Sequence, residues 1–204
     1  MEAGNMKIES TLVFTDGSPV VAPSKSHNCY FKSGWRRPYS HKTVAVVVED
    51  AAGAIAMVER HPDDPIEGGK LALPGGYVEL GQRVRDAAET EVLEETGHLL
   101  IPGTLGRFAL MDGPITLPGR ANEQDHNIVT VFMAKAGEKV QEHDDEVTEV
   151  LWVLPHDLPP REQIAFGHYD IIGMYLRHQE QPFDVLPIVP SEMDVWDLFS
   201  RDWR

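Results

Sequence analysis

The chain has 204 residues, and its 33 Asp+Glu against 18 Lys+Arg give a net charge of −15. Hydrophobic residues make up 42% and charged residues 25%, a globular composition that excludes a disordered chain; the acidic balance disfavours nucleic-acid and anionic-membrane partners, which need a basic face. A single cysteine, Cys29, excludes an intrachain disulfide and a cysteine-rich zinc ribbon. The longest aliphatic run, Val44 to Val48, is too short to span a bilayer. The stretch Met1 to Lys7 has no basic segment followed by an apolar one, so a cytoplasmic protein without a secretory leader is expected.

Residues 1–42 alternate weakly and read as a strand-and-turn extension. Its end, Trp35-Arg36-Arg37-Pro38-Tyr39, is either a surface linker packed on the main domain or a platform that stacks a ligand ring, with Trp35 and Tyr39 as the candidate contacts. The main domain is expected over 43–180. Val44 to Val48 and Ala54 to Val58 read as strands joined by a Glu49–Gly53 hairpin turn. A polar loop, His61 to Gly69, leads to Leu73-Pro74-Gly75-Gly76. Val84 to Thr96 reads as a helix, with Val84, Ala87, Ala88, Val92 and Leu99 at helical spacing and Gly97 as a left-handed cap. Strands are predicted at 105–111, 127–134 and 148–154, with a Pro/Gly-rich loop from Asp112 to His126 and a turn at Asp157–Pro160. A second helix is predicted from Gln163 to His178, with Ile164, Ile171, Ile172, Tyr175 and Leu176 as its buried stripe. Strands mixed with two helices imply an α/β sandwich. The tail, 181–204, carries Phe183, Trp196, Phe199 and Trp203, with Ser191 as a helix cap, and is expected to dock on its own domain or on a second subunit.

Glu91, Glu94 and Glu95 occupy positions i, i+3 and i+4 near the C-terminus of the first helix, on one face, so the three carboxylates are expected to converge. Anions there oppose the helix dipole and repel one another, so either the face is simply solvated or a cation binds it. Mg2+ or Mn2+ is the natural ion for an oxygen-only donor set.

Gly76 to His98 resembles the Nudix box, the signature of Nudix hydrolases, with Leu73-Pro74-Gly75-Gly76 similar to its lead-in. Gly76, Glu91, Val92, Glu94, Glu95 and Gly97 stand in register. The chain departs where Gln82 replaces the first Glu, Thr90 the Arg and His98 the final aliphatic. Losing the Glu and the Arg removes an opposite-charge pair together, and Gln82 and Thr90 are expected to meet through a neutral hydrogen bond. The resemblance implies an α/β/α sandwich with a mixed sheet and hydrolysis of a diphosphate linkage in a nucleoside diphosphate derivative such as ADP-ribose, a dinucleotide or a sugar nucleotide. It further implies Mg2+ or Mn2+ held by Glu91, Glu95, Glu94 and the Gly76 carbonyl, screening the phosphates and acidifying the attacking water. Glu146 and Glu149 are candidates for the general base, with Glu149 read as a solvated strand-edge charge. Arg120 is a candidate contact to a substrate phosphate or a plain surface residue. The alternative function is a catalytically weak or inactive Nudix-like domain that binds a nucleotide metabolite and regulates a partner.

None of the nine histidines forms a zinc-protease pair, and His168, at a predicted helix start, reads as a hydrogen-bonded structural group rather than a catalyst. Cys29 has no visible base partner. A homodimer is a candidate assembly, because the aromatic extensions need somewhere to bury their surface.

Overall fold

The computed structural model describes residues 29–30, 36–37, 40–64, 66–79, 81–116, 124–182 and 188–190. The expectations for Trp35, Tyr39, Arg120, Ser191 and the tail aromatics lie outside these residues. In chain order the strands are β1 Cys29–Tyr30, β2 Arg36–Arg37, β3 Ser40–Glu49, β4 Ile55–Arg60, β5 Leu71–Ala72, β6 His98–Leu100, β7 Gly106–Thr116, β8 Gln124–Lys139, β9 Val147–Val153 and β10 Ile188–Pro190. The helices are α1 Val84–Thr96 and α2 His168–Glu180.

Among the described residues the main sheet runs β10-β7-β8-β3-β4-β5, with β6 also on β8 and β9 on β4. It is open and mixed: β3 runs parallel to β8, whereas β7–β8, β3–β4 and β4–β9 are antiparallel. The unbroken valine run of β3 is explained by burial on both faces. Val44, Val46 and Val48 pack with Ala87, Ala88 and Val92 of α1, while Ala45 and Val47 pack with Ile171, Ile172 and Tyr175 of α2. The helices thus cover opposite faces of the sheet, as an α/β/α sandwich requires. No helix among the described residues is long and apolar enough to cross a membrane.

Helix α1 matches its predicted bounds, and Gly97 ends it at φ 73°, where a residue with a Cβ would be disfavoured. Leu99 lies beyond that cap, on β6, and is 46% exposed rather than part of the helical stripe. The predicted Asp112–His126 loop is shorter, because β7 and β8 continue their ladder to Thr116↔Gln124. Among the described residues β10 pairs β7 only at Leu110–Asp112, so Pro114 has no described strand neighbour on that side. The second helix starts five residues late. Arg161–Gln163 forms a separate 3-10 turn, Ile164 is buried through a bridge to Leu71, and Phe166 and Gly167 are left-handed, which a helix cannot absorb. Leu176 is half-buried rather than fully buried.

Candidate active site

The glycine segment lies along the edge of β3 away from β8, on the part that β4 leaves unpaired. Val46 N–H donates to the Pro74 carbonyl (2.8 Å), Val44 N–H to the Gly76 carbonyl (2.9 Å) and Val78 N–H to the Lys42 carbonyl (2.9 Å). Gly75 runs so close to β3 that a Cβ there would collide with the Val44 carbonyl. At Gly76 the crowding comes from the other side, where a Cβ would stand 2.5 Å from Glu91 Oε1. Two glycines are therefore needed in a row, one for the strand and one for the carboxylate.

Helix α1 turns two carboxylates inward. Residues four apart lie about 40° apart round a helix, so Glu91 and Glu95 share a face, whereas Glu94 stands about 100° from Glu95. Glu95 is 6% exposed, Glu91 is half-buried and Glu94 is exposed. The spacing predicts that the three carboxylates converge, whereas Glu94 stands on the solvent side of the other two, close enough for its charge to act on Glu91. Among the described residues, no three His, Cys, Asp or Glu side chains stand together as a ready-made metal cage.

The loop after β8 completes the acidic rim by capping α1. Val140 N–H donates to the Gly97 carbonyl (2.9 Å) and Asp144 N–H to the Glu94 carbonyl (2.8 Å), filling acceptors the helix end leaves open. Asp144 Oδ1 then accepts the Glu146 N–H (3.0 Å), an Asx turn that orients the following carboxylate. Asp144 is the site residue that sequence reasoning missed. The available signal was the acidic run Asp144-Asp145-Glu146, but nothing local says that it caps a helix. Glu149 lies farther along, exposed on β9 opposite Glu59.

These groups act on one another electrostatically. Burial, then the charges of Glu94, Glu146, Asp144 and Glu79, push the Glu91 carboxyl up to about 7. Burial raises Glu95 well above the ordinary range, and Glu91, Asp144 and Glu146 add to this against the single hydrogen bond from Gly75 N–H (2.9 Å). Among the described residues no lysine or arginine pairs with Glu91 or Glu95. A buried and a half-buried carboxylate facing other carboxylates, with no cation paired to them among the described residues, fit a hard divalent ion in charge and donor type.

The box departures take a different form from the expected pair. Gln82 Oε1 accepts the Glu79 N–H (2.9 Å), and Thr90 lies exposed on the helix, so the two do not bond to each other. The Gln82 oxygen is used within its own turn, bonding the Glu79 N–H instead of reaching the helix. His98 packs its ring edge-on against Trp152, with centroids 5.2 Å apart, doing the apolar packing expected of an aliphatic. His168 is a hydrogen-bonded buried group, as expected.

The NUDIX domain model matches residues 39–173, well over half of the chain. The chain belongs to the Nudix family. It is 32% identical over 142 residues to an ADP-ribose pyrophosphatase of Methanocaldococcus jannaschii, covering 69% of this chain and 77% of that protein. It is 26% identical over 133 residues to the nucleoside triphosphatase NudI of Escherichia coli, covering 64% of this chain and 88% of NudI. In fold it resembles the MutT protein of Methanosarcina mazei Go1, with TM-score 0.57, 20% identity, and coverage of 71% and 99% of the two chains. The chain is a Nudix hydrolase, an enzyme of the pyrophosphohydrolase class, whose family generally employs a divalent metal.

Proposed function

We propose that this Nudix hydrolase cleaves the diphosphate linkage of a nucleoside diphosphate derivative of the ADP-ribose, dinucleotide or sugar-nucleotide type. The observation that carries the reading is the half-buried Glu91 and buried Glu95 beside Gly76 and Gly75, surrounded by further carboxylates with no protein cation among the described residues. The similarity to an ADP-ribose pyrophosphatase supports ADP-ribose as the first substrate to test.

Glu91 and Glu95 would hold Mg2+ or Mn2+, with Glu94 as a third ligand and the Gly76 carbonyl using the lone pair that Val44 N–H leaves free. Such an ion screens the phosphate charge and lowers the pKa of the attacking water. Glu146 would accept the proton of that water as it attacks phosphorus and the P–O–P bond breaks, giving AMP and ribose 5-phosphate from ADP-ribose. Asp144 holds the backbone of Glu146 in place. Arg120 would meet a phosphate, and Trp35 or Tyr39 the base. A cytoplasmic homodimer completes the reading.

The test is phosphatase-coupled hydrolysis over a panel of nucleoside diphosphate derivatives with Mg2+ or Mn2+. The reading expects metal-dependent turnover strongest for one member of the panel and release of AMP from ADP-ribose. No turnover of any diphosphate, with or without metal, contradicts it.

A further inference from the structure

His168 opens α2 on the face of the sheet opposite the acidic site, and it is 8% exposed. Its Nδ1 accepts the backbone N–H of Leu73 (2.8 Å), a residue 95 positions away in the chain. Acceptance at Nδ1 places the ring proton on Nε2. Burial, with the Arg60 charge added, pushes the imidazole down to about 4, so the acceptor is present at neutral pH.

Leu73 is where the β5 ladder ends. The last pairing of β4 with β5 is Val58↔Ala72, so the Leu73 N–H has no strand to bond and takes the imidazole instead. From that point the chain enters the site. Leu73 is buried in the α2-side core, the Pro74 carbonyl is taken by Val46, Gly75 N–H points to Glu95 Oε2 and the Gly76 carbonyl is taken by Val44. One residue before β5's end, the Leu71 carbonyl accepts Ala165 N–H (2.8 Å) from the segment that carries His168.

The turn into α2 is strained in a way that serves this contact. Phe166 has φ 56° and Gly167 φ 72°, two consecutive left-handed residues, the first of them bulky. The conformation is held from outside: Glu67 Oε2 accepts the Phe166 N–H (2.9 Å), and the Arg60 guanidinium sits 4.6 Å from the Phe166 ring centroid. That ring in turn packs edge-on against His168, with centroids 5.6 Å apart. Ordinary helix capping requires none of this.

We propose that His168 is a positioning residue for the hydrolytic site, fixing Leu73 so that Gly75 and Gly76 meet Glu95 and Glu91 in register. The inference rests on the proposed function. It joins the two sides of the sheet through backbone alone: imidazole to Leu73, then two residues to the Gly75 N–H on Glu95. A shift of the glycine turn by a fraction of an ångström alters both carboxylates that face the reacting phosphate.

The experiment compares His168→Leu, which fills similar volume without an acceptor, with His168→Asn, which keeps an oxygen near the Nδ1 position on a smaller side chain. For each, kcat, KM, Tm and Mn2+ affinity without substrate are measured. His168→Leu is expected to lose about ten- to a hundredfold in kcat, as for a small misplacement of reacting groups, and to bind Mn2+ more weakly, with KM nearly unchanged. His168→Asn is expected to recover most of kcat and Mn2+ affinity although its cavity lowers Tm. A merely structural histidine would make activity follow Tm in both variants, and that result overturns the proposal, as does wild-type kcat in His168→Leu. Should the leucine variant fail to fold, His168→Met takes its place in the comparison with His168→Asn. If the unmodified protein neither binds Mn2+ nor turns over substrate, the proposed function fails, and this inference with it.

Discussion

The Glu91 carboxylate fills the space that a side chain at position 76 would need: a Cβ on Gly76 would lie 2.5 Å from its Oε1 and 2.7 Å from its Oε2. Gly75, one residue earlier, meets the backbone of Val44 instead. The two glycines therefore have opposite predicted phenotypes. In Gly76→Ala the flexible Glu91 can swing away, so the fold should lose no more than about 1 kcal/mol while turnover falls at least about tenfold. In Gly75→Ala the clash is with a strand, and about 2 kcal/mol or more of stability should be lost. Thermal melts beside activity assays separate the two.

Glu95→Gln keeps an oxygen to accept the Gly75 N–H and removes a buried charge that has no protein cation among the described residues. The variant should melt at or above the wild-type temperature without metal, because it carries no buried carboxyl that is costly to ionise. Turnover should fall about a thousandfold, the scale of losing several kcal/mol of metal-supplied transition-state stabilisation. A variant that is stable and active together would contradict the assignment of Glu95 as a ligand.

The ionisable groups set a pH dependence with two signs. Folded Glu91 keeps its proton up to about 7, against 4.5 for the ordinary side chain. Its contribution to metal-free stability is complete below 4.5 and lost as pH rises through about 7, and Glu95 acts in the same direction. His168 acts oppositely: its folded value is about 4 against 6.5, so its contribution is complete above 6.5 and lost as pH falls through about 4. Metal-free Tm should decline on both sides of a mildly acidic maximum. Millimolar Mn2+ should lift the alkaline branch alone, and melting curves across pH with and without the ion check this.

Glu146 and the helix carboxylates should separate by what each variant loses. Glu146→Gln should lower kcat about a hundredfold or more, the range for a general base, while Mn2+ binding stays close to wild type. Asp144→Ala frees the Glu146 N–H and loosens the same loop, so a smaller loss of kcat is expected, again with metal binding largely kept. Binding measured by Mn2+ electron paramagnetic resonance distinguishes these from Glu91→Gln, which should lose the ion.

The parts of the molecule readable in the sequence are those with local causes. The apolar period of Val84 to Val92 and the Gly97 stop define α1, and the valines of β3 announce a strand covered on both faces. The glycine and glutamate spacing singles out Glu91 and Glu95, which lie beside Gly76 and Gly75. What escaped reading depends on contacts between distant segments. Nothing near Asp144 says that its N–H will cap Glu94, and nothing near His168 says that it will hold Leu73. The i, i+3, i+4 rule placed Glu94 with its neighbours, but which part of the helix surface the sheet buries decides that Glu95 is enclosed and Glu94 is not. The family pattern suggests Thr90 as a partner for Gln82, whereas the nearer Glu79 N–H takes its oxygen.

The most direct test of the account is a Mn2+ titration of ADP-ribose hydrolysis by the wild type and Glu95→Gln, with bound Mn2+ counted in the same samples by electron paramagnetic resonance. The account predicts wild-type turnover that rises with the bound ion, and a Glu95→Gln protein that is folded, binds the ion weakly and is nearly inactive. Turnover without divalent metal, or a Glu95→Gln protein that binds and hydrolyses like the wild type, would contradict it.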